Sequence, residues 1–305
     1  VSTLDDLLDG SAARLPILVG RKLFHVDALH AETSDSNDGE DREKPLETIA
    51  QGYANCVADR GDVVWVHGGD NRYREDELSV TKDGVTIVGD GWGTEWNRTS
   101  SQSGDYVVKI MAKNVTIANM QLSVNGDETC IYIGDGGAAV DANAAMCRVI
   151  GCFVRGGWYG ASGSEGTTGI LVDGASTAQI YDNFLWSWGT AAIDVRDGAS
   201  RTCYGTQIGF NKITGAGYGI YMANAITYGR PSVIHDNMIW DWLYTVNMTR
   251  GIHLNVSQGG VFVCNNRIGC ANPTYDAGDL NYWVGNDIEA VEAASEANCT
   301  YVGTW

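Results

Sequence analysis

Five side chains in the second half of the chain could move protons: Asp182, Asp194, Asp236, Asp241 and His253. Asp182 and Asp236 hold the same place in two copies of one phrase, Ile180-Tyr-Asp-Asn183-Phe-Leu185 and Ile234-His-Asp-Asn237-Met-Ile239. Paired carboxylates serve glycoside hydrolysis, one protonating the leaving oxygen while the other acts as base or nucleophile. Both also stand directly before an Asn, where Asp is a favoured turn residue, and the turn reading takes precedence. No catalytic set is assigned; were the chain an enzyme, its acids would be Asp182, Asp194 and Asp236. Two tryptophan pairs, Trp186 with Trp188 and Trp240 with Trp242, flank the small residues Thr214 and Ala216. Together with Tyr221 and His253 they are expected to form a subunit interface or, as the second choice, a glycan-binding surface.

These positions repeat because the elements that carry them repeat. The template apolar-x-x-Asn-x-apolar returns in Ile208-Gly-Phe-Asn211-Lys-Ile213 and Val263-Cys-Asn-Asn266-Arg-Ile268, so Asn183, Asn211, Asn237 and Asn266 lie 28, 26 and 29 positions apart. Weaker copies precede them at Cys152 and Met120, with a further one at Asp90, and each of the four Asn phrases follows a second apolar run such as Gly169-Ile-Leu-Val172. A period of about 20–50 residues with strand spacing inside it predicts a solenoid whose coils bury apolar side chains against their neighbours. The Asn residues are expected to stack as a structural ladder, tolerating left-handed backbone and bonding to main-chain groups. Strand alternation predicts one outward column of Tyr132, Leu171, Asp194, Tyr221 and His253, at about 4.8 Å per coil. The tryptophan pairs, two coils apart, would wall a trough about 10 Å wide. The repeat is expected to stop after Cys270, with a helical pattern from Asp287 to Ala297.

The Asn phrases resemble the right-handed parallel β-helix of the pectin lyase-like superfamily. The N-terminal part is similar to the start of many such proteins: Leu23-Phe-His-Val26, an Asn37-Asp-Gly39 loop, a helix opening at Pro45 with Leu46, Ile49, Tyr53, Cys56 and Val57 on one face, then Gly61-Asp-Val-Val and Tyr73-Arg-Glu75. The resemblance implies an all-β fold, a right-handed parallel β-helix with an N-terminal cap helix and a short C-terminal cap. It divides the chain into an arm at 1–22, the capped β-helix at 23–275, and a C-terminal cap or subunit-contact segment at 276–305. Polysaccharide lyases of this fold gather calcium-binding acids and a catalytic Arg or Lys on an outer face; Arg196 beside Asp194 is the nearest approach here.

Composition narrows the partners. A formal net charge of −18 disfavours nucleic acid and anionic membranes, and repels acidic glycans unless a local patch reverses the sign. No apolar run reaches the roughly 18 residues that span a bilayer, and Val1-Ser-Thr-Leu-Asp-Asp lacks the pattern of a signal peptide. The eight cysteines show no metal-finger spacing and are expected to be free thiols, and the five histidines are dispersed. Asp35, Asn37, Asp38 and Asp41 read as a polar turn rather than a calcium loop. Neither metal nor cofactor is expected. The resemblance is closest to bacteriophage virion surface proteins: capsid-decorating, fibre or tailspike-like β-helices, usually homotrimers. It implies a structural or host-binding protein on the virion surface, attached to other virion proteins through the arm, with host surface glycan as a further partner and little or no catalysis. The alternative is an extracellular polysaccharide lyase or glycoside hydrolase working in the tryptophan-lined groove.

Overall fold

A computed structural model describes residues 20–69, 72–99, 101–134, 144–157, 166–197, 203–223, 231–241, 248–255, 260–277 and 281–290. All but the last three residues of the expected arm, with Trp242 and 291–305, lie outside the described residues.

Strands of successive coils pair in parallel, and three sheets result. The first runs through 78–80, 106–110, 129–134, 166–173, 191–196, 218–223, 250–255 and 274–276. The second stacks 23–26, 63–66, 86–89, 116–118, 148–150, 179–181, 207–209, 232–235, 261–264 and 282–284. After a turn at the ladder position the third sheet follows, from 72–74 and 95–97 through 121–124, 153–156, 184–186, 212–214, 238–240 and 267–270 to 287–290. Alternation turns one apolar side chain of each strand inward. Ile180, Ile208, Ile234 and Val263 stack in the second sheet, and Leu185, Ile213, Ile239 and Ile268 in the third, all buried. Each such side chain contributes about 1.5–3 kcal/mol of burial.

The four Asn residues form a continuous hydrogen-bonded ladder at this turn. Asn183 Nδ2 donates to Val149 O and to Asn211 Oδ1, which also accepts from the Asn183 main-chain N–H. Asn211, Asn237 and Asn266 repeat the pattern one coil on. Left-handed backbone, expected of the Asn itself, falls on the residue before it: Asp182, Phe210, Asp236 and Asn265 have φ of 55°, 58°, 53° and 56°. Cys152 fills the column with a thiol that faces Ile117 O at 3.8 Å, where the next Asn places its amide. Asp90 is no rung; its carboxylate accepts from Trp65 Nε1 and the Gly68 N–H.

Two sequence boundaries are corrected. The repeat does not stop after Cys270: Asn286 accepts from Asn266 and donates to Val263 O, and Asp287–Ala290 is a strand paired with 267–270 rather than the start of a helix. A coil only 20 residues long hides this rung from a search at 26–29. The cap helix spans Ile49–Asn55 and ends before Val57, which is 48 % exposed. Lys82 Nζ donates to the Tyr53 and Ala54 carbonyls at that end. At the other end Glu75 accepts from the Ile49 and Ala50 N–H groups, so the Tyr73-Arg-Glu75 motif caps the helix that covers the first coil. Asp35 likewise accepts from the Glu47 and Thr48 N–H groups.

All the described cysteines are free. Burial pushes the Cys147, Cys152 and Cys203 thiols up to about 12, which keeps them unreactive.

Candidate functional site

The first sheet brings the most chemistry to one face. Its outward column runs Lys109, Tyr132, Leu171, Asp194, Tyr221, His253 and Tyr275, one residue per coil. Asp194 is 6 % exposed, between Leu171 and Tyr221, with Oδ1 buried and unpartnered among the described residues. Burial pushes its carboxyl up to about 6, with Arg196 pulling it down and Asp173 pushing it up. Two residues further along the strands, Arg196 and Asp173 are register partners whose charged groups lie 3.6 Å apart. Tyr132 Oη donates to Asp173 Oδ2 at 3.4 Å.

Aromatic rings extend the stripe on both sides. Tyr106 and Tyr132 lie 4.9 Å apart, with Lys109 Nζ over each ring. Beyond Asp194, Tyr218, Tyr221 and His253 are mutually within 5.1 Å, and Tyr275 stands 4.5 Å from His253. Burial, then the Arg250 cation, holds His253 below its usual value, so its imidazole is neutral at pH 7. The stripe therefore combines flat apolar faces with hydroxyls, one carboxyl poised near neutrality and an Arg–Asp pair. Tyr132, Leu171 and Asp194 are buried, so the accessible end is Tyr218, Tyr221, His253 and Tyr275, which can stack the C–H faces of sugar rings and bond their hydroxyls. Among the described residues no cluster of His, Cys, Asp and Glu could hold a metal ion.

No family model and no curated protein matches this sequence. Solved structures do. Pectin methylesterase from Aspergillus niger superposes with a TM-score of 0.59 at 12 % identity, over 90 % of this chain and 89 % of that one. Pectin methylesterase PemA from Erwinia chrysanthemi does so with a TM-score of 0.50 at 12 % identity, over 90 % and 91 %. The chain folds as a right-handed parallel β-helix, as these two proteins do. At such identity the likeness concerns the fold.

The β-helix separates residues that the sequence grouped. Tyr221 and His253 belong to the first-sheet stripe, whereas Trp186 and Trp240 stand on the third sheet, flanking Thr214. Trp188 faces neither way: it is fully buried. Strand alternation fails there because Ser187, at φ 67°, bends the chain between third and first sheets. Gly156, Gly166 and Gly169 clear room for the indole, since a Cβ on any of them would come within 3.0 Å of a Trp188 ring atom. Nor do the described residues leave an open trough. Phe184 and Trp240 lie 6.4 Å apart and nearly parallel across the intervening coil, and Thr214 is buried.

The aromatic surface of the third sheet consists of Trp186 and Trp240 together with Trp92, Phe153 and Phe184. Phe153 and Phe184 were legible, because the x after each ladder position must point outward. Trp92 comes from an insertion and carried no signal. Asp182 and Asp236 stay at the ladder turn, away from Asp194, and Asp236 bonds His235 Nδ1 at 2.8 Å.

Proposed function

We propose that this chain is a host-binding protein of a bacteriophage virion surface, of the capsid-decorating, fibre or tailspike-like kind, and that it engages surface glycan along the first-sheet stripe. The virion setting and homotrimeric state rest on the sequence resemblance. An extracellular glycan-binding protein outside any virion is the alternative setting. The observation that supports the glycan contact is the accessible end of the column, Tyr221–His253–Tyr275 with Tyr218 beside it, where rings and hydrogen-bonding groups follow each other at coil spacing; Tyr132, Leu171 and Asp194 continue the column as buried side chains. That spacing matches an extended saccharide chain better than a compact small molecule.

One observation favours a catalytic alternative on the same stripe. A carboxyl raised to about 6 suits a general acid, and Asp173 supplies a second, ion-paired carboxylate beside it. In this reading Asp194, one of the three acids named from sequence, would be the general acid.

Glycan arrays followed by calorimetry on the intact protein test the binding. Tyr221→Ala is expected to weaken glycan binding at least about tenfold, since a stacked aromatic is worth about 1.4 kcal/mol or more. Unchanged affinity in Tyr221→Ala, or binding to no glycan, overturns the reading. Reducing ends or unsaturated uronates released by the protein but not by Asp194→Asn would establish the catalytic alternative.

A further inference from the structure

At the N-terminal end of the second sheet, a chain of ring nitrogens joins three consecutive coils on the side away from the core. His25 and Trp65 are register partners on strands 23–26 and 63–66, and His67 directly follows the second strand. His25 Nδ1 lies 2.9 Å from His67 Nε2, and His67 Nδ1 lies 3.1 Å from Asp90 Oδ2 in the third coil. Both imidazoles are buried. They stack on each other at 5.2 Å, and the Trp65 indole stands 5.6 Å from the first and 5.0 Å from the second. The carboxylate decides where the hydrogens sit. Asp90 only accepts, so His67 Nδ1–H donates to it, His67 Nε2 is left as an acceptor, and His25 Nδ1–H donates to that nitrogen. The neutral pair therefore shares a single hydrogen in the 2.9 Å contact.

The cap loop hangs on the same residue. His25 N–H donates to Gly39 O at 2.7 Å, and His25 O accepts from Leu46 N–H at 2.9 Å. That loop brings Arg42 and Asp41 to bear on His25 with opposite signs, while Asp90 acts from the third coil. One proton can be added to the pair without loss, because an imidazolium at His67 donates both to Asp90 and to His25 Nδ1. A second proton cannot. Both facing nitrogens would then carry hydrogens, the 2.9 Å contact would be lost, and two cations would be buried side by side. Burial, then His67 and Arg42, accordingly hold His25 below its ordinary value. Asp90, despite its burial, is held below its own by His67, Gly68 and Trp65, so it stays charged in mild acid.

We propose that the His25–His67–Asp90 chain is an acid-sensitive latch, which holds the N-terminal unit of strand 23–26, cap loop and cap helix on the stack at neutral pH and releases it in acid. The end of a one-dimensional stack can open while the rest stays folded, because each coil contacts only its neighbours. The contact that breaks, His25 to His67, is the one between first and second coils. Release bares the inward Val64 and Val66 and leaves strand 63–66 as an unpaired edge. The sign follows from the second proton, which the closed unit resists and the open unit takes at the ordinary histidine value of about 6.5. The latch's contribution is thus complete above about pH 6.5 and is lost as pH falls below it. The inference is independent of the glycan stripe, which belongs to a different sheet.

Amide hydrogen exchange on the whole chain, corrected for intrinsic rates, tests the latch against His25→Gln, which keeps a donor for His67 Nε2 but cannot charge. Between about pH 7.5 and about pH 5, protection of 24–26 and of the cap helix should fall at least about tenfold more in the wild type than in the variant. Burial holds Glu75, which caps the same helix, above its ordinary value and so acts with the opposite sign, but it is present in both proteins and cancels. Equal falls in the two proteins overturn the proposal. In the neutral wild type, nitrogen NMR shifts should place the hydrogen on Nδ1 of both imidazoles. A hydrogen on His67 Nε2 overturns the proposal, and so does a His25 that becomes charged while the amides of 24–26 stay protected. These last two measurements decide it even if His25→Gln fails to fold.

Discussion

Asp194 shows how one residue ties stability to chemistry. Its carboxyl is raised in the folded state, so its favourable contribution is complete below the unfolded value near 4 and is lost as pH rises through about 6. Asp194→Asn should therefore flatten the stability profile between about pH 4 and 7. At neutral pH it should stabilise the protein by about 2 kcal/mol, allowing for the part that solvent reaches. Denaturant melts of both proteins at pH 4.5 and 7.5 measure it; parallel profiles would mean that the carboxyl ionises normally and is no candidate acid. Asp182 and Asp236 stand at the ladder turn, at a backbone angle that suits Asp.

Among the elements, the bend after the third-sheet strand decides where the large side chains go. Trp186 and Trp188 are two residues apart and would share a face in a regular strand, but positive φ at Ser187 sends the second into the core. The glycines opposite are its counterpart. A Cβ on Gly166 would lie 2.5 Å from Trp188 Cζ3 and 2.7 Å from Val124 Cγ2. Gly166→Ala is expected to cost about 1–3 kcal/mol by overpacking, and less in a Trp188→Phe background, where the smaller ring leaves space. Equal costs in both backgrounds would show that the slot is not what Gly166 provides.

The whole molecule is a one-dimensional stack, so its energetics should be local along the axis. Removing one rung amide strands buried main-chain partners, and Asn211→Ala is expected to cost about 1–3 kcal/mol. Asn183 and Asn266 share no hydrogen-bond partner, whereas Asn211 and Asn237 bond each other directly. Asn183→Ala and Asn266→Ala should therefore add within about 0.5 kcal/mol, while Asn211→Ala with Asn237→Ala should not. A four-protein cycle in urea for each pair checks this, and strong coupling between the distant pair would contradict nearest-neighbour stacking.

What the sequence by itself determined is whatever repeats. The ladder Asn residues, the inward aliphatic columns and the column through Asp194 follow from period and alternation, because a parallel stack places equivalent residues at equivalent heights, while the capping unit with its Glu75 came from the resemblance. What only the tertiary structure decided is whatever breaks the period. Trp188 entered the core through one positive φ, Asn286 joined the ladder through a shortened coil, and Trp92 reached the aromatic face from an insertion. The division of the aromatic residues between two faces belongs to the same class. Linear spacing records how far apart residues are along a coil, but the corner between two sheets rotates the outward direction, and the backbone angles at a few turn residues set that rotation.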